Sequence, residues 1–239
     1  MLFPAQDPAA IRSRVRQTLE KGVQIDLSTE PCKRYLRRHV NRKVDIVILY
    51  ADIDGSTKMS MTTSPADFGT ILHIFSQEMT LVISESGGYT LKYVGDAVIA
   101  LFPAQYDKKQ ASRSSVECAR QMLDVIANGI NPELRTHGLP ELRIKISIEF
   151  GDVQVVLYGK SLERSHIDIV GSSISTAAKM ISLAPSGQIV VGQRIHKTLT
   201  DVIPAEKFSK LEADTSKWSY LDEGGGSYSL YLLKNPQAM

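Results

Sequence analysis

Residues 44–50 (Val-Asp-Ile-Val-Ile-Leu-Tyr) hold too few polar positions for a half-exposed strand, which predicts a central one covered on both faces. From Pro65 the period becomes helical. Phe68, Ile71, Leu72, Phe75, Met79, Val82 and Ile83 share one face until Gly87-Gly88 stops the helix. Residues 89–93 and 97–102 then read as two strands joined tightly through Gly95-Asp96. A second amphipathic helix is expected over about 109–126, with Val116, Ala119, Met122, Leu123 and Ile126 inward. Apolar and polar positions alternate over 142–150, and strand continues over 153–158 after a Gly-Asp turn. A short strand at 168–170 leads through Gly171-Ser172 into a helix reaching about 183, capped by Ser172 or Ser173. Residues 188–191 read as strand, 193–199 as a short helix, and 218–221 and 227–233 as two further strands. The order β-α-β-β-α-β, followed by an appended C-terminal α/β portion, is an α+β architecture with a ferredoxin-like core.

Ahead of this, Ile11, Val15, Leu19 and Val23 recur every four residues, with Tyr35 and Val40 after a break near Pro31. Residues 1–42 are therefore expected to form a helical arm that packs on the main domain, 43–239, or on a partner. The 239 residues suffice for one catalytic-size domain. The formal charge is only +2, from 28 basic and 26 acidic side chains, so no global positive field points to nucleic acid. Lys33, Arg34, Arg37, Arg38, Arg42 and Lys43 form a local basic group that reads as a solvated helical face. Cys32 and Cys118 match neither a disulfide framework nor metal-ligand spacing.

No run approaches the roughly 20 apolar residues of a membrane helix and no ordered signal pattern is present. A cytoplasmic protein without an integral membrane segment is expected, a short Met1-Leu2-Phe3 anchor being the alternative. The five histidines lack ligand spacing, and there is no Gly-x-Ser-x-Gly elbow, Walker loop or dinucleotide fingerprint.

The chemistry concentrates in two short acidic turns, one containing Asp52 and Asp54, the other Asp96. Asp52 closes a buried strand, and Gly55, Ser56 and Thr57 follow where backbone N–H groups can receive phosphate oxygens. Gly95 lets the chain turn tightly at Asp96. Either aspartate alone reads equally as a turn former. If the first strand neighbours the hairpin, both carboxylates converge on one sheet edge and suit two divalent cations with a triphosphate.

Three segments carry a resemblance. Ala51-Asp52-Ile53-Asp54-Gly55-Ser56-Thr57, the run from Lys92-Tyr93-Val94-Gly95-Asp96 to Phe102, and the run from Asp168-Ile169-Val170-Gly171-Ser172 to Met180 resemble, in order and separation, the three signatures of the class III adenylate/guanylate cyclase catalytic domain. The resemblance covers about residues 43–233. It implies a class III nucleotidyl cyclase fold and a head-to-tail homodimer with sites at the subunit interface. It further implies two Mg²⁺ or Mn²⁺ ions held by Asp52, Asp96 and the Ile53 carbonyl. Lys92 and Asp168 correspond to the base-reading pair, a donor to a ring nitrogen and an acceptor from an exocyclic amine. Guanine places a carbonyl where adenine has that amine, so ATP is the expected nucleoside triphosphate and cyclic AMP the product.

The sequence departs from the family at three places. Ser175 stands where the family has a ribose-orienting asparagine, and Lys179 where it has a transition-state arginine. Around residues 222–226 no lysine stands at the natural place for the triphosphate, although Lys217 and Lys234 are close in sequence. Slow chemistry is expected in consequence. Two alternatives follow from the same departures: a cyclic pyrimidine nucleotide (cUMP or cCMP) synthase of the kind bacteria use in phage defence, and a degenerate domain that binds nucleotide without turnover.

Overall fold

The computed structural model describes residues 7–23, 25, 27–212, 218–222 and 224–234. At the centre of its sheet runs β1 (Lys43–Ile53), antiparallel both to β3 (Ala97–Pro103) and to β4 (Ile144–Tyr158). Both faces of β1 are covered, because Val47, Leu49 and Ala51 enter one core while Val44, Ile46 and Ile48 enter another. That accounts for the uninterrupted apolar run. The hairpin partner β2 (Tyr89–Val94) forms one edge. Beyond β4 lie β6 (Ile189–Gly192), parallel to it, then β8 (Leu230–Leu233) and β7 (Phe208–Leu211). β5 (His166–Val170) pairs with the far end of β4 alone. The β4-β1-β3-β2 order is the expected ferredoxin-like core, so the α+β class holds.

Helices α4 (Pro65–Glu85) and α5 (Lys108–Asp124) cover one face. Ser64 caps α4 by accepting from Asp67 N, and Asp107 caps α5 by accepting from Gln110 N. On the opposite face α7 (Ser172–Ile181) is tied down by the buried Ser147 hydroxyl, which donates to the Ala177 carbonyl at 2.9 Å. The two N-terminal helices go to opposite faces: α1 (Pro8–Lys21) joins the α4/α5 side through Ile11 and Val15, and α2 (Glu30–Arg37) joins the other through Cys32 and Leu36. Both cysteines are free and buried. Among the described residues no helix is long and apolar enough to cross a membrane.

Several expectations need correction. Val23 lies beyond the Gly22 C-cap of α1 and is exposed, while Thr18 takes the buried position. No turn interrupts β4: Gly151 and Asp152 stay paired with Ile46 and Asp45, and the missing Cβ of Gly151 leaves room for the Ser173 hydroxyl. Gly171, not Ser172 or Ser173, caps α7, and no side chain assists it. Between α5 and β4, where no element was expected beyond about residue 126, lie a π-helix (Val125–Ile130) and α6 (Asn131–Thr136). Asn131 closes that connection by hydrogen-bonding both backbone groups of Leu142. Near the C-terminus, 218–221 and 227–229 form only the isolated bridge Leu221–Ser227, and the unforeseen β7 takes the place beside β8. Met1-Leu2-Phe3 and Lys217 lie outside the described residues. The remaining elements are α3 (Ser56–Thr62) and α8 (Gln193–Leu199).

Candidate active site

Pairing of β1 with β3 and β4 assembles the acidic edge. Asp52 stands opposite Ala97 on one side and Lys145 on the other, and the Ile53 amide donates to the Asp96 carbonyl at 3.3 Å. Residue 96 is thereby fixed beside residue 52. Burial, reinforced by the charge of Asp96 and a carboxyl–carboxyl hydrogen bond to it, pushes the Asp52 carboxyl up to about 6. Lys145 opposes this, with its Nζ at 3.6 Å from Asp52 and 3.4 Å from Asp54. Asp54 is held below the ordinary carboxylate range by a hydrogen bond from Ser186, with Lys145 and Arg143 adding to it. Gly55, in the left-handed region at φ 76°, turns the chain from this edge into Ser56, Thr57 and α3.

A second cluster occupies the neighbouring strands. Lys92 of β2 is ion-paired with Asp168 of β5, residues 76 positions apart in sequence. The other Asp168 oxygen accepts from the Ile169 amide at 2.9 Å, and His166 Nε2 stands 3.8 Å from the oxygen paired with Lys92. Tyr50 lies within the field of Asp168: its phenol is pushed up to about 12, by burial first and by that carboxylate second. On α7, Ser175 and Lys179 share one exposed face, and the Ser175 hydroxyl donates back to the Gly171 carbonyl at 3.2 Å. Among the described residues nothing covers that face. Arg164 belongs to the exposed loop before β5, and Lys234, just after β8, lines a 590 Å³ cavity together with Arg143, Ser186 and Gln188.

A family model described as the adenylate and guanylate cyclase catalytic domain matches residues 39–235, most of the chain. The chain belongs to the class III adenylate and guanylate cyclase catalytic domain family. It is a nucleotidyl cyclase catalytic domain of that type. Over 161 residues, 64% of this chain, it is 24% identical to a cytidylate cyclase of Escherichia coli, of which the match spans only 35%. It is 28% identical over 164 residues to a uridylate cyclase of Burkholderia cepacia, covering 66% of this chain and 69% of that one. Among solved structures, the adenylyl cyclase CyaB from P. aeruginosa superposes with a TM-score of 0.71 at 19% identity, covering 82% of this chain and 97% of that one.

Set on this cyclase fold, the sequence-derived candidates fall into three groups: Asp52, Ile53, Asp96 and residues 55–57 at the acidic edge, Lys92 with Asp168, and Ser175 with Lys179 on α7. Lys145 and Tyr50 escaped the sequence reading. Only strand register brings them to the candidate groups: Lys145 stands opposite Asp52 in the β1–β4 pairing, and Tyr50 and Lys92 both stand opposite Ile99 of β3. Among the described residues no group of three or more His, Cys, Asp or Glu side chains could hold a metal ion. The acidic edge offers two converging carboxylates with a neighbouring carbonyl, a hard oxygen set suited to Mg²⁺ or Mn²⁺. Burial and the charge of Asp96 raise the Asp52 carboxyl, and the Lys145 ammonium stands between Asp52 and Asp54.

Proposed function

We propose that this domain cyclises a nucleoside triphosphate whose base carries an exocyclic amine, ATP in the first place, to the 3′,5′-cyclic nucleotide and diphosphate. The Lys92–Asp168 pair supports this most directly. An ammonium donating to a ring nitrogen and a carboxylate accepting from an amine match the edge of adenine. Guanine would set its carbonyl against Asp168, leaving two acceptors face to face.

Asp52, Asp96 and the Ile53 carbonyl would hold two Mg²⁺ or Mn²⁺ ions. Such ions, when bound, lower the pKa of the ribose 3′-hydroxyl and neutralise the phosphates. In the reaction the 3′-hydroxyl loses its proton, its oxygen bonds to the α-phosphorus, and the bond from that phosphorus to the bridging oxygen breaks to release diphosphate. Lys145, which pairs with Asp52 and Asp54, would meet phosphate oxygens, and the amides of Gly55, Ser56 and Thr57 would receive others. Lys179 and Ser175 act across a head-to-tail homodimer, from the open face of α7 onto the partner's nucleotide. Lys179 supplies positive charge to the α-phosphate as a point charge instead of a planar fork, which makes turnover slow.

A second reading is CTP. Cytosine presents its amine and adjacent ring nitrogen in the same order as adenine, so Lys92 and Asp168 suit both. The similarity to the E. coli cytidylate cyclase supports it. UTP, the substrate named for the B. cepacia relative, would require the two residues to exchange roles, Lys92 donating to O4 and Asp168 accepting from N3–H.

The test presents ATP, CTP, GTP and UTP separately with Mn²⁺ and identifies products by chromatography. Cyclic AMP or cyclic CMP as the dominant product supports the amine rule. Dominant cyclic GMP or cyclic UMP overturns it, and tight binding without any cyclic product favours a non-catalytic domain.

A further inference from the structure

β5 carries Asp168 yet, among the described residues, has β4 as its sole strand neighbour. A five-residue strand held on one side needs another restraint if its carboxylate is to stay opposite Lys92. Helix α2 supplies it. Its Cys32 and Leu36 are buried in one core with Leu91, Ile167 and Ile169, the sequence neighbours of Lys92 and Asp168. Cys32 lies close enough to feel Asp168, its thiol being pushed up to about 12 by burial first and that carboxylate second.

The last residue of α2 reaches further. Arg37 donates from Nε to the Leu162 carbonyl at 3.1 Å and from Nη2 to the Glu163 carbonyl at 3.3 Å, both in the loop that leads into β5. Its Nη1 is paired with Glu30 in the first turn of the same helix. All three guanidinium nitrogens are engaged, so the fork has one orientation. The loop is closed on itself by a bond from the Ser165 amide to the Ser161 carbonyl at 2.9 Å.

We propose that Arg37 is a positioning residue for base recognition. By fastening residues 159–165 to α2 it sets where Asp168 stands relative to Lys92, and through that spacing the discrimination among bases. The inference rests on the cyclase reading for the identity of the ligand and on the observed contacts for the clamp.

Two measurements on the full chain test it, using Arg37→Ala with Arg37→Lys and Glu30→Gln as milder variants should the first fail to fold. Hydrogen exchange over 159–170 is compared with exchange over 43–53, and the affinities for the four triphosphates are compared by calorimetry. The clamp predicts faster exchange confined to 159–170 and an affinity ratio between amine-bearing and carbonyl-bearing bases that falls about fivefold, the worth of one misplaced hydrogen bond. Arg37→Lys, which keeps the charge but not the fork, should fall between wild type and alanine. Unchanged exchange overturns the proposal, and so does faster exchange with an unchanged base ratio, since Arg37 is then merely structural. A wild-type protein that binds triphosphates but forms no cyclic product sinks the cyclase reading alone, because both measurements still report on the clamp.

Discussion

Glu149 is a carboxylic acid sealed in the core, and its replacement by glutamine makes a quantitative prediction. The side chain is fully buried. One oxygen accepts from the Phe150 amide at 2.8 Å, and the Tyr228 hydroxyl stands 2.9 Å from both oxygens while accepting from the Arg194 amide. Gly192 makes the space, since a Cβ there would come within 2.0 Å of the carboxylate. Burial pushes the group up to about 7 from its ordinary 4.5, against the opposing pull of the Phe150 and Tyr228 hydrogen bonds. A raised carboxyl favours the protonated form in the fold. Its contribution is therefore fully present below about pH 4.5 and is lost as pH rises through about 7. A shift of that size, at 1.36 kcal/mol per pH unit, corresponds to a loss of about 3 kcal/mol. Glutamine mimics the protonated acid, so Glu149→Gln should match wild type at about pH 4 and exceed it by about 3 kcal/mol at pH 8. Urea unfolding at a series of pH values measures this. Curves that stay parallel within about 1 kcal/mol from pH 5 to pH 8 would refute the assignment of that proton to Glu149.

Three further outcomes are expected. Arg14→Ala should cost about 3 kcal/mol in urea unfolding, because Arg14 forms a two-pronged pair with the fully buried Glu78 at 2.6 and 3.1 Å and its removal takes the charged partner from a carboxylate that keeps the Gln77 amide at 3.0 Å. A loss below about 0.5 kcal/mol would show that α1 adds nothing through this contact. Lys179→Arg should raise turnover by about tenfold with little change in KM, by restoring a planar donor; an unchanged rate would remove Lys179 from the reacting centre. Gly192→Ala should lower the unfolding midpoint sharply, since its methyl collides with Glu149, and a wild-type midpoint would contradict the packing described.

The elements legible in the sequence are those whose burial is written in local period. β1, the β2–β3 hairpin and α4 each carry their own pattern, and the Gly95-Asp96 turn carries its own chemistry. β4 was legible in composition but not in continuity, because Gly151-Asp152 is turn chemistry in isolation and strand only when paired with Ile46 and Asp45. α6 hid behind Asn131-Pro132, which reads as a break but places proline in a first helical turn. The short β7 has too few residues to show a period, and only β8 beside it defines it. Lys145 illustrates the limit most clearly. As one polar position in an alternating strand it carries no signal, and its place between Asp52 and Asp54 follows entirely from non-local register.

The most direct test of the acidic edge is Mn²⁺ binding followed by electron paramagnetic resonance, in the presence of a 3′-deoxy triphosphate that cannot cyclise. Two Mn²⁺ ions per nucleotide are predicted for wild type, with binding that weakens about tenfold per unit below about pH 6, where Asp52 takes up its proton. Asp52→Asn and Asp96→Asn should each lose Mn²⁺ and, with the native triphosphate, the cyclic product. Wild-type Mn²⁺ stoichiometry and turnover in both variants would contradict the account.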